Sequence, residues 1–356
     1  MKRTGNDGNY WNRRDLLKFA ALAWAAPVLS QARGGQRGQG QGGQRGQEQA
    51  AQQKGTELVL LGTQGGPGVS ATRTQASSVV LVDGRPYLVD CGYGAIKALV
   101  QAGLTLGNVS DVFITHLHDD HTADIAALIA LKWTASATPG AATIYGPYGT
   151  AAMVDAAIAF SRANVAIRMI DEGRTVDPKT IFHGRDMNAP KITEVFKDDR
   201  VAVQAVENTH FPDRAKAKMD YRSFSYRFNT ATRSIVFSGD TTYSENLIEL
   251  ARGADLFVCE VLGGGAGGGN GQNANANGRG AAAPVDNNTE SVARHVRETH
   301  STPEMVGKMA AAAKVKTVVL THQVGGGRGG NNDPLTADLK KVFSGQVIVG
   351  ADQMRI

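Results

Sequence analysis

The sequence predicts an α/β protein in which two β-sheets pack face to face and helices cover their outer surfaces. The chain has 356 residues, 42% of them apolar, which is enough to bury a large core. Asp83-Gly84, between two apolar runs, is a hairpin signal that comes early in the chain. Later, strand-like runs alternate with helical patterns. This order is expected for two packed sheets with helices outside.

An internal similarity indicates that two halves of the chain contribute to one cleft. The apolar runs 112–114 and 317–320 are each followed by a Thr-His pair, at His116 and at His322. A short apolar run bounded by polar residues is typical of a buried strand. We therefore expect each half to present a histidine at the end of a strand, facing a shared site.

Residues 1–32 predict a twin-arginine signal peptide. Arg13 and Arg14 precede a modestly apolar run, residues 19–29, and residues 30–32 read Ser-Gln-Ala, a small-residue cleavage pattern. The run is too short to cross a bilayer, which takes about 20 apolar residues, so no stable membrane span is expected. The pattern resembles the signals that the bacterial twin-arginine export machinery recognises. The sequence thus predicts this machinery as a partner and a periplasmic or otherwise exported protein.

The remaining chain divides into a linker and one domain. Residues 33–55 are rich in Gly, Gln and Arg with almost no apolar content, which predicts a disordered linker. Residues 56–356 are expected to form a catalytic domain, interrupted by a low-complexity insertion at about 263–285 and by a shorter Gly-rich tract at 325–332. For both tracts the composition favours a disordered loop over an ordered lid.

Residues 115–121 carry much of the metal-binding chemistry. They read Thr-His-Leu-His-Asp-Asp-His and directly follow one of the predicted strands. His116 and His118 are two apart on extended backbone, so both side chains can point to one side. Asp120 and His121 come one turn later and can face the same point. The stretch therefore predicts one half of a metal site.

Three isolated residues also follow predicted strands. His210 comes after the apolar run 201–206, Asp240 comes after 234–237, and His322 was described above. A single His or Asp at a strand end is more often a cap or a surface residue. Because all of the ligand-type residues fall at strand ends, these three predict the other half of the site.

Together, the pattern His-x-His-x-Asp-His and its three later partners resemble the metallo-β-lactamase superfamily, from about residue 57 to the C-terminus. The resemblance implies a four-layer αββα sandwich. It also implies two divalent metal ions, usually zinc, with manganese or iron as alternatives. The implied ligands are His116, His118 and His210 for the first metal, Asp120, His121 and His322 for the second, and Asp240 as a bridge.

Further motifs resemble the ribonuclease Z, arylsulfatase and phosphodiesterase branches of this superfamily. These branches have a bridging carboxylate at the position of Asp240, which true β-lactamases lack. Glu260 and the His-Ser-Thr stretch that starts at His300 match motifs of ribonuclease Z-like proteins. Cys259 departs from the pattern, where it replaces a histidine. The Asp-Cys-Gly stretch at Asp90 is also similar to that branch.

The implied metals suggest a mechanism. Two metal ions lower the pKa of a bridging water enough to give hydroxide near neutral pH, for attack on phosphorus or sulfur. His300, oriented by Glu260, is the candidate proton donor to the leaving oxygen. The alternative for His300 is a histidine that caps the following helix. Asp120 is a candidate for orienting the water. His183 and His295 have no counterpart in the pattern, and no role is predicted for either.

These features predict an exported dinuclear-metal hydrolase of small phosphodiesters or sulfate esters. The predicted signal would carry the protein away from tRNA. Ribonuclease Z enzymes have a long RNA-binding arm between the third metal histidine and the bridging aspartate, whereas only thirty residues separate His210 from Asp240 here. Most of the net charge of +5 lies near the N-terminus, and no basic block follows it.

Three alternatives stay open. The first is a ribonuclease Z-like endonuclease that processes the 3′ ends of RNA. The second is a lactonase or β-lactamase that acts on a cyclic ester or amide. The third is a non-catalytic metal-binding protein of the same fold, which would be expected to have lost ligands, although none is missing. A small-molecule ester is the expected substrate, nucleic acid is not an expected partner, and a homodimer is left open.

Overall fold

Two sheets lie face to face in the computed structural model, which describes residues 55–263, 290–324 and 334–356. The strands of the first sheet follow chain order: β1 (Thr56–Gly62), β2 (Ser77–Val82), β3 (Arg85–Val89), β4 (Asp111–Phe113), β5 (Ala142–Pro147) and β6 (Phe182–Met187). Strands β1 to β3 are antiparallel, and β3 to β6 are parallel. Asp83 and Gly84 have φ angles of 48° and 80°, which confirms the predicted two-residue hairpin.

The second sheet has seven strands. In chain order they are β7 (Thr193–Lys197), β8 (Val201–Glu207), β9 (Phe224–Thr230), β10 (Ser234–Phe237), β11 (Leu256–Leu262), β12 (Thr317–Val324) and β13 (Gln346–Val349). They lie side by side in this order, from β7 at one edge to β13 at the other. Strands β7 to β10 are antiparallel, and β10 to β13 are parallel.

Helices connect the parallel strands and cover both sheets. Those of the described residues are α1 (Ala95–Gln101), α2 (Asp119–Thr122), α3 (Ile125–Thr134), α4 (Thr150–Phe160), α5 (Arg162–Asp171), α6 (Asp213–Lys216), α7 (Glu245–Ala251), α8 (Glu290–Thr299), α9 (Pro303–Ala313) and α10 (Pro334–Lys340). Short 3₁₀ turns lie at Leu106–Asn108 and Pro178–Thr180.

Three buried apolar clusters define four layers. One packs α1, α3 and α4 onto the outer face of the first sheet, and a second packs α7, α9 and α10 onto the second sheet. The third cluster lies between the sheets. Leu58 and Leu60 of β1 belong to this inner cluster, whereas Val59 and Leu61 face the helices, since successive strand residues point to opposite faces. The αββα sandwich implied by the sequence is confirmed.

Strands β6 and β7 and helix α5 are among the elements that were not predicted. Each of the two strands is an edge strand of its sheet and consists mostly of exposed and half-buried residues in an irregular order. Helix α5 has no fully buried residue. Prediction of a strand or helix from sequence depends on a regular apolar pattern. Elements without a regularly buried face lack this pattern and are not predicted.

Several predicted segments lie outside the described residues. These are the signal peptide at 1–32, the linker except for its last residue, nearly all of the insertion at 263–285 and the tract at 325–332. Within the described ranges, no single helix is long and apolar enough to cross a membrane. The bent pair α4 and α5 meets that requirement by length and composition alone, with a bend of 48°.

Phe113 provides a test of the contact between the sheets. Its ring, at the end of β4, stacks on Tyr145 at 5.2 Å and meets Tyr226 and Phe228 of the opposite sheet at 5.8 and 5.2 Å. Phe113→Ala should lower the free energy of unfolding by about 3–5 kcal/mol, because it leaves a cavity between two rigid sheets. Urea unfolding of the full chain measures this loss. The matched control is Phe160→Ala, since Phe160 is 81% exposed; equal losses in the two variants would contradict the packing described here.

Candidate metal centre

The polar residues of the site meet at one edge of the sandwich. His116 and His118 follow β4, His210 follows β8, and Asp240 follows β10, while Glu260 lies within β11. Strands β8, β10, β11 and β12 all run in the same direction in the second sheet. Their carboxyl ends therefore present side chains at a common edge, as strands of this kind do in other α/β proteins.

The first group of ligands contains only imidazoles. The Nδ1 atom of His118 lies 3.0 Å from Nε2 of His116 and 3.2 Å from Nε2 of His210. Contacts on the opposite ring nitrogens orient two of the rings: Nδ1 of His116 is 3.1 Å from the Thr115 hydroxyl, and Nδ1 of His210 is 3.1 Å from the Thr299 carbonyl oxygen. Three nitrogens converge on one point, as a metal with three histidine ligands requires.

The second group combines carboxylates with imidazoles. It consists of Asp120, His121, Asp240 and His322, all of them buried. Nε2 of His322 lies 3.0 Å from Oδ2 of Asp120 and 3.3 Å from Oδ2 of Asp240, and Nε2 of His121 lies 3.3 Å from Oδ1 of Asp240. Oδ2 of Asp240 is also 3.8 Å from Nε2 of His116, in the first group. Asp240 therefore lies between the two groups, the position that the resemblance implies for a bridging ligand.

A local irregularity of β12 brings His322 to this point. Thr321 pairs with Glu260 and Gln323 pairs with Val261, so His322 has no partner in the register with β11. His322 also has a φ of 42°, in the left-handed region that few non-glycine residues occupy. An extra residue of this kind turns a side chain away from the regular alternation, which is a common device next to active sites.

Asp90 supports the second group from outside. Its carboxylate accepts hydrogen bonds from the backbone N–H of Thr115 at 2.8 Å and from the Thr115 hydroxyl at 2.9 Å. It also lies 2.8 Å from Nδ1 of His121. This contact fixes the His121 ring so that Nε2 faces the site, as carboxylates do for the histidine ligands of metals. No role of Asp90 was predicted from the sequence, although its Asp-Cys-Gly stretch is part of the resemblance described above.

Glu260 and His300 form a buried pair beside the second group. Oε2 of Glu260 lies 2.8 Å from Nδ1 of His300, and Oε1 accepts a hydrogen bond from the backbone N–H of Thr241. Nδ1 of His300 is also 3.8 Å from Oδ2 of Asp240. Burial disfavours the charged imidazole, but Glu260 outweighs it and raises the pKa of His300 to about 9. His300 can therefore hold a proton next to the site.

The two groups differ in charge. Burial lowers the pKa of all three imidazoles in the first group, that of His210 to about 3, so they are neutral and free to bind a metal. In the second group burial also opposes charge, but Asp240 and Asp120 raise the pKa of His121 and His322. These carboxylates therefore attract positive charge into a buried part of the molecule.

The arrangement fits metal ions. Nε2 of His121 and Oδ1 of Asp240 are buried and have no hydrogen-bond partner among the described residues. Buried polar atoms normally have one, so unpaired atoms that point at each other are expected where a cation binds. The members of each group offer ligand atoms that lie within 4.8 Å of one another. The residues present therefore suit two metal ions, in agreement with the resemblance.

All of the site residues named from the sequence come together in this cleft, and His183 does not, since it is exposed on β6. His295 does come close, although no role was predicted for it. Its ring centroid lies 6.0 Å from that of His118, 5.7 Å from His210 and 5.6 Å from His300.

Comparison with known proteins identifies relatives along most of the chain. Ribonuclease Z of Mycobacterium avium (strain 104) is 28% identical over 310 residues, which cover 84% of this chain and 97% of that protein. Ribonuclease Z of Mycobacterium marinum (strain ATCC BAA-535 / M) is also 28% identical, over 84% of this chain and 98% of the relative.

Solved structures agree in fold. A metallo-beta-lactamase fold protein from Bacillus subtilis has a TM-score of 0.57 at 19% identity and covers 85% of this chain and 98% of its own. The short form of human tRNase Z has a TM-score of 0.56 at 22% identity and covers 84% of this chain and 98% of its own. A family model described as a beta-lactamase superfamily domain matches residues 85–323, which contain every residue of the two ligand groups. The chain therefore belongs to the metallo-β-lactamase superfamily.

Proposed function

We propose that this protein is a metal-dependent phosphodiester hydrolase of the ribonuclease Z kind. The observation that carries the proposal is the position of the Glu260–His300 pair. Nδ1 of His300 lies 2.8 Å from Oε2 of Glu260 and 3.8 Å from Oδ2 of Asp240, which supports His300 as the proposed proton donor. The names of the curated relatives support ribonuclease Z activity, the alternative in the sequence analysis, more than the small-ester activity that was preferred there.

Two divalent ions, zinc before manganese or iron, are the proposed cofactors. When bound, such ions lower the pKa of a bound water and polarise the ester. His116, His118 and His210 would hold one, and Asp120, His121 and His322 the other, with Asp240 in contact with both. The donor set of imidazoles and carboxylates is typical of catalytic zinc.

The protein's own groups supply orientation and a proton. Glu260 accepts from Nδ1 of His300, which leaves Nε2 to donate to the leaving oxygen of the ester. The backbone N–H of Gly66 donates to Oδ2 of Asp120 at 2.7 Å. This contact fixes the Asp120 carboxylate, which can then accept a hydrogen bond from the attacking water.

A small phosphate or sulfate ester is the second candidate substrate, and one structural observation favours it. Only α6 and a short connection lie between His210 and β9, so this segment is too short to form a long RNA-binding arm. Export through the twin-arginine machinery, proposed from residues 1–32, would also suit a small substrate.

A substrate panel tests these proposals. The metal-loaded full chain would be given a precursor tRNA with a 3′ trailer, bis-nitrophenyl phosphate, nitrophenyl sulfate, nitrocefin and a lactone. We expect hydrolysis of both phosphodiesters, and loss of it in Asp240→Ala. Turnover of nitrocefin or the lactone alone would indicate carbonyl chemistry and contradict the proposal. Turnover of bis-nitrophenyl phosphate without the RNA would support the small-ester candidate.

Asp90→Asn tests the support of the metal ligands. The amide keeps the size of the side chain but presents a donor to Nδ1 of His121, so the ring loses its fixed orientation. We expect the affinity for the second metal to fall by about 10–100-fold, as for other outer contacts of metal-bound histidines. Chelator competition measures it. The control is Asp119→Asn, since Asp119 is exposed in the same stretch. Unchanged metal affinity in Asp90→Asn would contradict a role of Asp90 in orienting His121.

His300→Ala tests the proton donor. Hydrolysis of phosphodiesters with alkoxide leaving groups should slow by about 10²–10⁴-fold, the usual contribution of a general acid. Bis-nitrophenyl phosphate should slow far less, because nitrophenolate leaves without a proton. The control is His183→Ala, at the exposed histidine of β6. If the rate of hydrolysis fell by the same factor for both classes of ester, His300 would have a structural role only.

A further inference from the structure

We propose that Tyr148 and Tyr221 form a subsite for a planar aromatic ring, carried by the ester group that stays on phosphorus during hydrolysis. The inference rests on the proposed function and narrows its substrate class to phosphodiesters with a ring system close to the phosphate. Such a ring could be a nucleobase or the aryl group of a small ester, since both present the same flat apolar face.

Tyr221 lies at the edge of the cleft, beside the first ligand group. The pairing of β8 with β9 extends past both strands, because the backbone N–H of Asn208 donates to the carbonyl oxygen of Ser223 at 3.0 Å. Tyr221 comes two residues before Ser223, and His210 comes two residues after Asn208. Tyr221 and His210 therefore lie at the same end of this strand pair.

Tyr148 reaches the same edge from the first sheet. It directly follows β5, which runs parallel to β4, the strand that leads to His116. The rings of Tyr148 and Tyr221 lie 6.0 Å apart, with an angle of 42° between their planes. They are 55% and 46% exposed. Two half-exposed rings from different sheets thus form one aromatic surface beside the cleft.

Gly149 allows the two sheets to approach each other here. Its φ of 100° lies in the region that favours glycine, and a Cβ atom on it would lie 2.9 Å from Cε1 of Tyr221 and 2.9 Å from Cδ1 of Leu117. Both side chains therefore pack on the backbone of Gly149. Leu117 stands between His116 and His118 in the chain, so the aromatic surface borders the loop that carries two of the ligand residues.

The order of the strands indicates which part of an ester faces the tyrosines. Asp240 follows β10, which lies between β9 and β11 in the second sheet. Tyr221 precedes β9, whereas Glu260, the partner of His300, lies within β11. The tyrosines and the proposed proton donor are therefore on opposite sides of Asp240. When the leaving oxygen faces His300, the group retained on phosphorus can face the tyrosines.

The chemistry of this edge suits a ring that is attached to an anion. Residues 211–222 contain two acidic and four basic side chains, the basic ones being Arg214, Lys216, Lys218 and Arg222. This excess contributes positive potential next to the aromatic surface. Aromatic side chains stack on planar rings through the π face, without needing a particular pattern of hydrogen bonds. An alkyl ester offers no such face, so the subsite would select aromatic phosphodiesters.

Calorimetry on the metal-loaded full chain tests the subsite without turnover. Thymidine 5′-phosphate, phenyl phosphate and methyl phosphate share the phosphate and differ in the group attached to it. Wild type should bind at least one of the ring-bearing ligands about tenfold more tightly than methyl phosphate, within the range observed for one stacked ring. Tyr221→Leu removes the ring and should abolish this preference while leaving the affinity for methyl phosphate unchanged. Tyr221→Phe keeps the ring and should retain the preference.

The matched control is Phe160→Leu, which should change none of the three affinities. Phe160 is 81% exposed and lies at the far end of the 11-residue helix α4 that begins after Tyr148, about 16 Å along the helix axis. A preference for thymidine 5′-phosphate alone would identify a nucleobase as the ring. A preference for phenyl phosphate would identify the aryl group of a small ester.

The outcomes separate this inference from the proposed function. The inference is overturned if wild type prefers neither ring-bearing ligand, if Tyr221→Leu keeps the preference, or if Tyr221→Leu weakens binding of all three ligands equally. If the preference depends on Tyr221 but wild type hydrolyses none of the phosphodiesters in the substrate panel, the proposed function fails and the subsite stands.

Discussion

The site depends on a buried carboxylate whose negative charge is shielded from solvent and must be balanced by other groups. Asp240 is 2% exposed and lies between two groups of imidazole rings. Burial alone would raise its pKa, but His322 and His121 hold that pKa well below the usual range. An unpaired buried charge is costly, so the carboxylate stabilises whatever positive charge is at hand. Bound metal ions would supply this charge more fully than protonated imidazoles and would free those imidazoles to act as ligands.

The two-sheet sandwich holds the ligand residues in place around this charge. Strands from both sheets end at the same edge, so most of the ligand residues lie within or shortly after backbone that is held in a sheet. The inner cluster, with Phe113 against Tyr226 and Phe228, holds the sheets at a constant separation. Asp90 then joins the motif loop to β3 by accepting from Thr115 and contacting His121. These contacts therefore fix ligand residues from both sheets relative to one another.

Sequence reasoning reached the parts of the structure that follow short-range rules. The buried strands have continuous apolar patterns, and the ligands follow them directly, so the αββα class and the two groups could be predicted. The edge strands β6 and β7 could not, because their residues are half exposed and lack a regular pattern. The contacts of Asp90 were missed for another reason. They are made with Thr115 and His121, which are distant from Asp90 in the chain, and residue spacing alone does not reveal contacts of this kind.

The C-terminal end of α8 joins residues of the cleft that are separate in the sequence pattern. Thr299 contacts His210 through its carbonyl oxygen and His295 through its hydroxyl, and His300 follows it in the chain. The next turn is also fixed, because the Ser301 hydroxyl donates to the carbonyl oxygen of Thr241, whose N–H in turn binds Glu260. A displacement of this helix end would therefore move a residue of the first ligand group and the proposed proton donor together. Such coupling favours a rigid cleft, in which the proposed acid keeps a constant distance from the ligand residues.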